Sequence, residues 1–542
     1  MTLLREYMVM QFARAVYAAP LVGCFLWFAT GPARGQDHQE SVELILSNPE
    51  GTARSSLRDL YMTIRQSTPR VTTRLLPLTS HEQWTVPKEK VDTVRKAAAK
   101  SGVVVSEIGS DWHHIFHAPP SELALSDTQR SLVQLARVSK AITGIKLLAG
   151  PPPARLEHAL TKDANAPTAS KGVAKITIAL SDKTVVTATR TSVDIKSEMC
   201  IWRGAVEETG ALVTLMWWPD GQLAGTIEHK GHFYSIRHLG DRIYAIVEMN
   251  EERMPPEHAA MPPMMLVSSD PNKRDDPLVQ QGDSSILRPM TFGMRRRSAQ
   301  PLEAEKRKQQ SNSGIQKTNA PRGDIVVDVI VAFTEKAANN YADIKRELVE
   351  LAIEEANGSF RMSNLGRVKL RLVHAYQTDY VEEGAHFDHV WRFADNSDGY
   401  MEEIHALRDE YRADVAILIV DDPKGCGLAT RVHADADEAF AVVHHECAST
   451  THSIAHEIGH LIGARHDLSL DRTMTPFPYG HGYVNGTKWR DIMSFKESCG
   501  GCPRVPVWSS PKVLVKGEAA GTANLDNARV IAEQAARVAA FR

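Results

Sequence analysis

Two architectures are expected in this chain: an α/β unit over residues 323–542 and a β-rich segment ahead of it. Three observations predict them. From Asp324 to Val420 apolar runs alternate with helical periodicity, the pattern of a sheet with helices on its faces. From 173 to 249 seven short runs alternate in hydrophobicity between turn residues, as in an antiparallel meander or sandwich. The third is His456-Glu457-Ile458-Gly459-His460-Leu461-Ile462-Gly463-Ala464-Arg465-His466-Asp467, which spells HExxHxxGxxHD and makes chemical sense on a helix followed by a sharp turn. At 542 residues, 43% hydrophobic and 24% charged, the chain is of ordinary globular composition and too long for one core, so two or three domains are expected.

Residues 1–35 carry Arg5 and Arg14, an apolar run from Ala15 to Thr30, and the small residues Ala33 and Gly35. They read as a secretory signal cut after Gly35, which makes the protein secreted and extracellular. Leu21-Val22-Gly23-Cys24 has the look of a lipobox, but Phe25 to Phe28 continue the apolar run past it, so a lipid anchor or periplasmic retention is the lesser reading. The run falls short of the roughly 20 residues of a spanning helix, and no later stretch could cross a bilayer, so no stable membrane span is expected.

Residues 36–150 are mixed α/β, with a helix expected over Lys88–Lys100 and a strand from Gly102 to Val105. His113, His114 and His117 lack metal-ligand spacing and are read as loop. Pro151-Pro152-Pro153 and the stretch to Lys171 read as a linker. The seven runs follow: Ala174–Leu180, Thr184–Thr191, Met199–Glu207, Ala211–Trp217, Leu223–His229, His232–His238 and Ile243–Met249. Their Trp202, Trp217 and Trp218 are the bulky burial that a small sheet needs.

Residues 250–322 are rich in Pro, Met, Ser and basic residues, including Arg295-Arg296-Arg297 and Lys306-Arg307-Lys308, and read as a flexible linker. Residues 323–542 hold 23 Lys+Arg against 33 Asp+Glu, net −10. The rest holds 40 against 33, net +7, and residues 288–322 alone hold 9 against 2. A basic run of this kind in an exposed segment is read as a processing site rather than a nucleic-acid patch, and no nucleic-acid partner is expected.

The α/β unit opens with a strand, Asp324–Thr334, then a helical pattern from Glu335 to about Ser363 and a strand Val368–His374. A helix over Gly399–Arg412 leads into Val415–Val420, whose unbroken aliphatics suit a central strand. Ala439–His445 is expected as an edge strand. His444, His445 and His452 are read as rim residues, since their offsets do not suit ligands.

On a helix His456 and His460 share a face and can hold two corners of a tetrahedral Zn²⁺, Gly463 permits the turn, and His466 returns as third ligand. A structural zinc has no use for a carboxylate between its ligands, whereas hydrolysis does. One catalytic Zn²⁺ is therefore expected, lowering the pKa of its water to about 7, with Glu457 taking the proton and later passing it to the departing amine. Met493, in Asp491-Ile492-Met493-Ser494, is an apolar floor under the histidines, and Asp467 fixes the turn.

These motifs, with Cys426-Gly427-Leu428-Ala429, Pro478-Tyr479-Gly480-His481-Gly482-Tyr483, Trp489-Arg490-Asp491, Cys502-Pro503-Arg504, Trp508-Ser509 and Asp526-Asn527-Ala528-Arg529, resemble the metzincin clan. Within it the likeness is to reprolysin-like and peptidyl-aspartate metalloendopeptidases, over roughly residues 324–542. The resemblance implies a metzincin-type mixed sheet with a long active-site helix. It implies a secreted endopeptidase made as a zymogen, the segments 36–150 and 173–249 forming a prosegment that inhibits the enzyme and is removed by a cut between roughly Arg297 and Arg322. It implies protein or peptide substrates laid along the edge strand. It also implies cleavage before Asp, which needs a cation in the receiving pocket; Lys496 and Arg504 are the candidates. As in several metzincin families, a prosegment cysteine can hold the zinc; here that is Cys200, or else Cys200 is a small buried hydrophobe.

With Cys24 lost in the signal, Cys200, Cys426, Cys447, Cys499 and Cys502 remain. The last four allow three pairings, of which Cys426–Cys447 and Cys499–Cys502 are favoured. Two other functions stay open: a zinc amidohydrolase acting on amides outside proteins, and a catalytically weak zinc-bearing adhesin.

Overall fold

The computed structural model describes residues 41–47, 54–68, 70–76, 82–101, 103–108, 113–116, 125–161, 174–258 and 323–542. The signal segment and the basic run with its processing site lie outside them. No helix among the described residues is long and apolar enough to cross a membrane.

The chain begins with a four-stranded sheet, β1 (Ser41–Ser47), β2 (Thr72–Leu75), β3 (Glu82–Pro87) and β4 (Val104–Ile108), in the order β2-β3-β1-β4. Helices α1 (Arg54–Ser67) and α2 (Val91–Lys100) cover it with Leu57, Leu60, Ile64, Val94 and Ala98 against Leu44, Trp84 and Val86. These spacings of three and four keep one helical face on the sheet. Helix α3 (Asp127–Val138) starts in a capping box between Ser126 and Gln129.

Strand β5 (Ile142–Ala149) and helix α4 (Pro153–Thr161) precede seven consecutive strands. These are β6 (Lys175–Ala179), β7 (Val185–Ile195), β8 (Cys200–Val206), β9 (Leu212–Trp217), β10 (Leu223–His229), β11 (His232–Gly240) and β12 (Ile243–Met249). They pair in chain order, so the meander is the arrangement adopted. Two expectations are corrected. β5 closes the β12 edge of this sheet, giving eight strands, so the boundary at 150 cuts a sheet. The proline-rich stretch read as linker begins a helix: proline fits a first helical turn, and Leu156, Ala159 and Leu160 bury themselves on the sheet.

The C-terminal unit has β13 (Ile325–Phe333), α5 (Glu335–Ala338), a π-helical turn Lys345–Glu350 running into α6 (Leu351–Met362), and β14 (Val368–Gln377). Then come α7 (His386–Ala394), α8 (Glu403–Glu410), β15 (Val415–Val420), β16 (Gly427–Ala429), β17 (Phe440–His444), α9 (Ser453–Ile462) and α10 (Asn527–Val538). The sheet order is β14-β13-β15-β17-β16, parallel except that β16 runs antiparallel to β17. Val329, Val331, Ile417 and Ile419 face α6, α9 and α10, while Ile330, Ala332, Ala416 and Leu418 face α7 and α8. Two buried faces explain why β15 reads as continuous aliphatics.

The continuous helix expected from Glu335 to Ser363 is interrupted after Ala338, where Asn339-Asn340 follow, and resumes at Lys345. The helix expected over Gly399–Arg412 is shorter, and α7 forms where the sequence pattern predicts no element. β17 is internal; the edge strand is β16, only three residues long and so too short to show a period.

The meander lies against the π-helical turn and α6. Arg203 Nε donates to Glu354 Oε1 at 2.7 Å, Thr226 donates to Glu355, and the His238 amide donates to Glu347 at 3.2 Å. Leu351 enters an apolar cluster with Met199, Ile201, Met216 and Trp218.

Candidate metal centre

Helix α9 presents Ile454, Ile458 and Leu461 to the core and His456 and His460 away from it. The two Nε2 atoms are 3.1 Å apart. Gly463 ends the helix at φ +136°, where a Cβ would meet Phe477 at 2.8 Å, so glycine is required on both counts. The chain then turns back, and Asn527 at the start of α10 pins the turn by donating to the Arg465 carbonyl at 2.9 Å. His466 returns with Nε2 at 2.9 Å from that of His460 and 3.2 Å from that of His456.

The far nitrogens define the tautomers. His456 Nδ1 lies 2.9 Å from the Ile492 carbonyl and His460 Nδ1 2.9 Å from the Ala464 carbonyl. A carbonyl only accepts, so each Nδ1 carries the proton and each Nε2 presents a lone pair. Burial pushes His456 and His466 well below the ordinary imidazole range and His460 down to about 3. Neutral imidazoles whose lone pairs converge repel unless a cation lies between them. Nitrogens bound to Zn²⁺ at about 2.0–2.1 Å in a tetrahedron stand about 3.3 Å apart, close to the observed separations, so the donor set fits zinc.

Glu457 follows His456 on α9 and is buried; its carboxylate lies against β16 so closely that a Cβ on Gly427 would collide with Oε1. Met493 lies beneath the helix, its Sδ 3.3 Å from where a Cβ on Gly459 would stand. Asp467 accepts from Ser469 N at 3.1 Å, Phe495 N at 3.2 Å and Ser498 Oγ at 3.0 Å, which ties the turn after His466 to the segment after Met493. Phe495, not singled out from the sequence, sets its ring 4.6 Å from that of His466.

Arg504 is buried, donating to the Thr451 carbonyl at 2.6 Å and pairing with Glu257. Lys496 heads the 3₁₀ turn Lys496–Cys499 and is partly exposed; the second cation on Glu257 is instead Arg490, at 3.2 Å. Arg490 also pairs with Glu251 and donates to the Ser494 carbonyl at 3.0 Å.

Cys200 is not brought to the centre. It opens β8, where alternate residues Cys200 and Trp202 face the meander's own core, and burial pushes its thiol up to about 12. The fourth side chain among the three histidines is His258, from the stretch read as linker. His258 Nε2 is 3.0 Å from His466 Nε2, and its Nδ1 donates to the Gly427 carbonyl at 2.8 Å. The only sequence signal for it is Pro255-Pro256 just before, which stiffens the chain into an extended form. His444, His445 and His452 are buried, not on a rim; His445 Nε2 lies 3.5 Å from Asp421 and His444 Nε2 3.6 Å from Glu446. Both favoured disulfides are present: Cys426–Cys447 clips β16 to the segment after β17, and Cys499–Cys502 closes the turn after Met493.

Converging neutral imidazoles, a carboxylate beside them and a short edge strand define a metal-dependent hydrolase. A reprolysin-type family profile described as "Metallo-peptidase family M12" matches residues 324–508. The "Peptidyl-Asp metalloendopeptidase" of Xanthomonas campestris pv. campestris is 36% identical over 322 residues, 59% of this chain and 67% of that protein. The protein of the same name from Pseudomonas fragi is 32% identical over 190 residues, 35% of this chain and 100% of that protein. Metalloproteinase-II from Bacteroides fragilis is similar at 11% identity and a TM-score of 0.32, over 63% of this chain and 89% of that one. The chain belongs to the peptidyl-Asp metalloendopeptidase family and is a zinc metalloendopeptidase.

Proposed function

We propose that the protein is a secreted endopeptidase made as a zymogen, that Glu457 is its general base, and that it cuts before acidic residues, Asp above all. His456, His460 and His466 hold the metal. When bound, Zn²⁺ acidifies water and polarises the scissile carbonyl. Glu457 takes the proton from the attacking water and delivers it to the departing amine, from a position between α9 and the edge strand where a peptide backbone would run. Arg504, with Arg490, receives the side chain after the cut. The observation that carries this is the seating of Glu257 on both guanidiniums beside the histidine cluster: the cleft already holds an acidic side chain.

The relatives' name, peptidyl-Asp metalloendopeptidase, supports the same preference. An edge strand whose amides already bond the backbone of another segment favours a peptide substrate over a small amide, and an intact Glu457 argues against an adhesin. The four-stranded sheet and the β-rich meander upstream are the prosegment.

Glu457→Gln tests the base. Turnover of unfolded protein should fall about 10²–10⁴-fold while the zinc content stays at one per chain. Near-normal cleavage would remove Glu457 from the mechanism, and loss of the zinc would make it structural.

A further inference from the structure

We infer that His258 is the fourth zinc ligand of the full-length chain, and that Met254-Pro255-Pro256-Glu257-His258 is an internal occupant of the cleft that keeps the enzyme latent. This rests on the zymogen reading above and names the residue that enforces it.

The segment is shaped before it docks. Two consecutive prolines fix φ near −65° and force the residue before each into an extended conformation; Met254 is extended, at φ −61° and ψ 156°. Ahead of it a 3₁₀ turn, Glu251–Arg253, is capped by the Asn250 side chain, which accepts from the Glu252 amide at 2.8 Å. The Asn250 amide in turn donates to the Ala141 carbonyl at 2.9 Å, so the tail leaves the meander in a defined direction.

It then lies beside the edge strand. The Cys426 amide donates to the Pro256 carbonyl at 2.8 Å and the Gly427 amide to the Glu257 carbonyl at 3.2 Å. Proline has no N–H to return, so the tail takes the edge strand's donors without forming the two-way ladder of an antiparallel partner. Glu257 sits on Arg504 and Arg490, and Glu251 holds Arg490 as well.

One residue further on, His258 reaches the metal centre. Its ring lies 4.9 Å from that of His466 and 5.6 Å from that of His456. With Nδ1 committed to the Gly427 carbonyl, Nε2 directs its lone pair into the same cluster, and all four residues offer nitrogens within 4.8 Å of one another. A zinc with four protein ligands is a closed, structural type of site, whereas hydrolysis requires a position for water. His258 in that position excludes water by ligation, while Glu257 excludes substrate from the acid-reading pocket. Cys200 has no part in it.

The test uses the zinc-loaded full chain carrying Glu457→Gln, which prevents self-processing. X-ray absorption at the zinc edge should show four imidazole nitrogens, and adding His258→Ala should give three imidazoles and an oxygen. A second probe is acetohydroxamate, a small chelator that needs an open coordination position: the full chain should exclude it and the His258→Ala chain admit it. Cys200→Ser should leave both readings unchanged. Three imidazoles with oxygen ligands, or a sulfur, in the full chain would overturn the assignment of His258. The underlying reading is checked separately with the native sequence. If uncut and processed protein digest unfolded substrate equally fast, the zymogen reading fails whatever the ligand count; a latent precursor with three imidazoles condemns His258 alone.

Discussion

Two of the places where the upstream region meets the protease unit are built with largely opposite polarity. At the meander face the protease presents mainly acids, Glu347, Glu354 and Glu355, to donors from His238, Arg203 and Thr226, with one pair of the reverse sign, Arg346 on Asp220. At the cleft the protease presents Arg490 and Arg504, and the tail supplies Glu251 and Glu257. The difference separates holding from blocking. An acidic peptide can compete with the tail for the arginines, but nothing about such a peptide resembles the broad face that grips α6. Retention of the prosegment and occupancy of the cleft should therefore respond to different substitutions.

The largest effect is expected at the cleft. A synthetic peptide spanning residues 250–258 should inhibit the processed enzyme, and Glu257→Gln in that peptide should weaken inhibition by roughly thirtyfold or more, since removing one charge of a buried pair costs about 2–5 kcal/mol. Equal inhibition by both peptides would mean that the arginines do not read the carboxylate.

A smaller effect is expected at the face. Arg203→Ala leaves Glu354 with Arg361 and should weaken retention of the cut prosegment by about 1–3 kcal/mol. Co-elution of the two fragments after linker cleavage measures this. The same change should leave turnover of the separated enzyme untouched, because Arg203 reaches no part of the cleft.

The smallest effect concerns pH. Burial pushes Glu347 up to about 8. A carboxyl whose pKa is raised on docking binds its proton more tightly in the docked form, so its contribution is intact below its ordinary range and is lost as pH rises through about 8. Retention of the cut prosegment should loosen as pH rises from the ordinary carboxyl range to about 8 and level off above it, and Glu347→Gln should flatten that limb. Burial also pushes His238 down, which works in the opposite direction on the acid side as pH falls through the ordinary imidazole range. A wild-type profile that shows no loosening as pH rises from about 6.5 to 8 would exclude Glu347 from the interface energetics.

What could be read from the sequence depended on how local the signal was. The meander strands and β15 announce themselves by period or by continuous aliphatics, and the histidine tripod by fixed offsets on one helix and one turn. β16 and β5 did not, because a three-residue strand has no period and a strand's partner is chosen by an edge far away in sequence. Arg504 can be named as a candidate from its place after the methionine segment, but Arg490 cannot, since its pairing depends on Glu251 and Glu257 arriving from more than 230 residues upstream. Cys200 stands out in the sequence as the cysteine left over once the other four pair, and the alternation of β8 turns it inward. His258 carries no spacing signal at all; its relation to the other histidines exists only once the meander has docked and the prolines have aimed the tail.

The most direct test of the central claim is the cleavage-site profile of the processed enzyme on a proteome digest, for native and Arg504→Gln forms side by side. The native enzyme should show Asp, and to a lesser degree Glu, immediately after the cut, and Arg504→Gln should lose that preference by a factor of about 10² or more, as expected when a pocket built for a polar group loses its partner. Apolar residues after the cut in the native profile, or an acidic preference that survives in Arg504→Gln, would contradict the account.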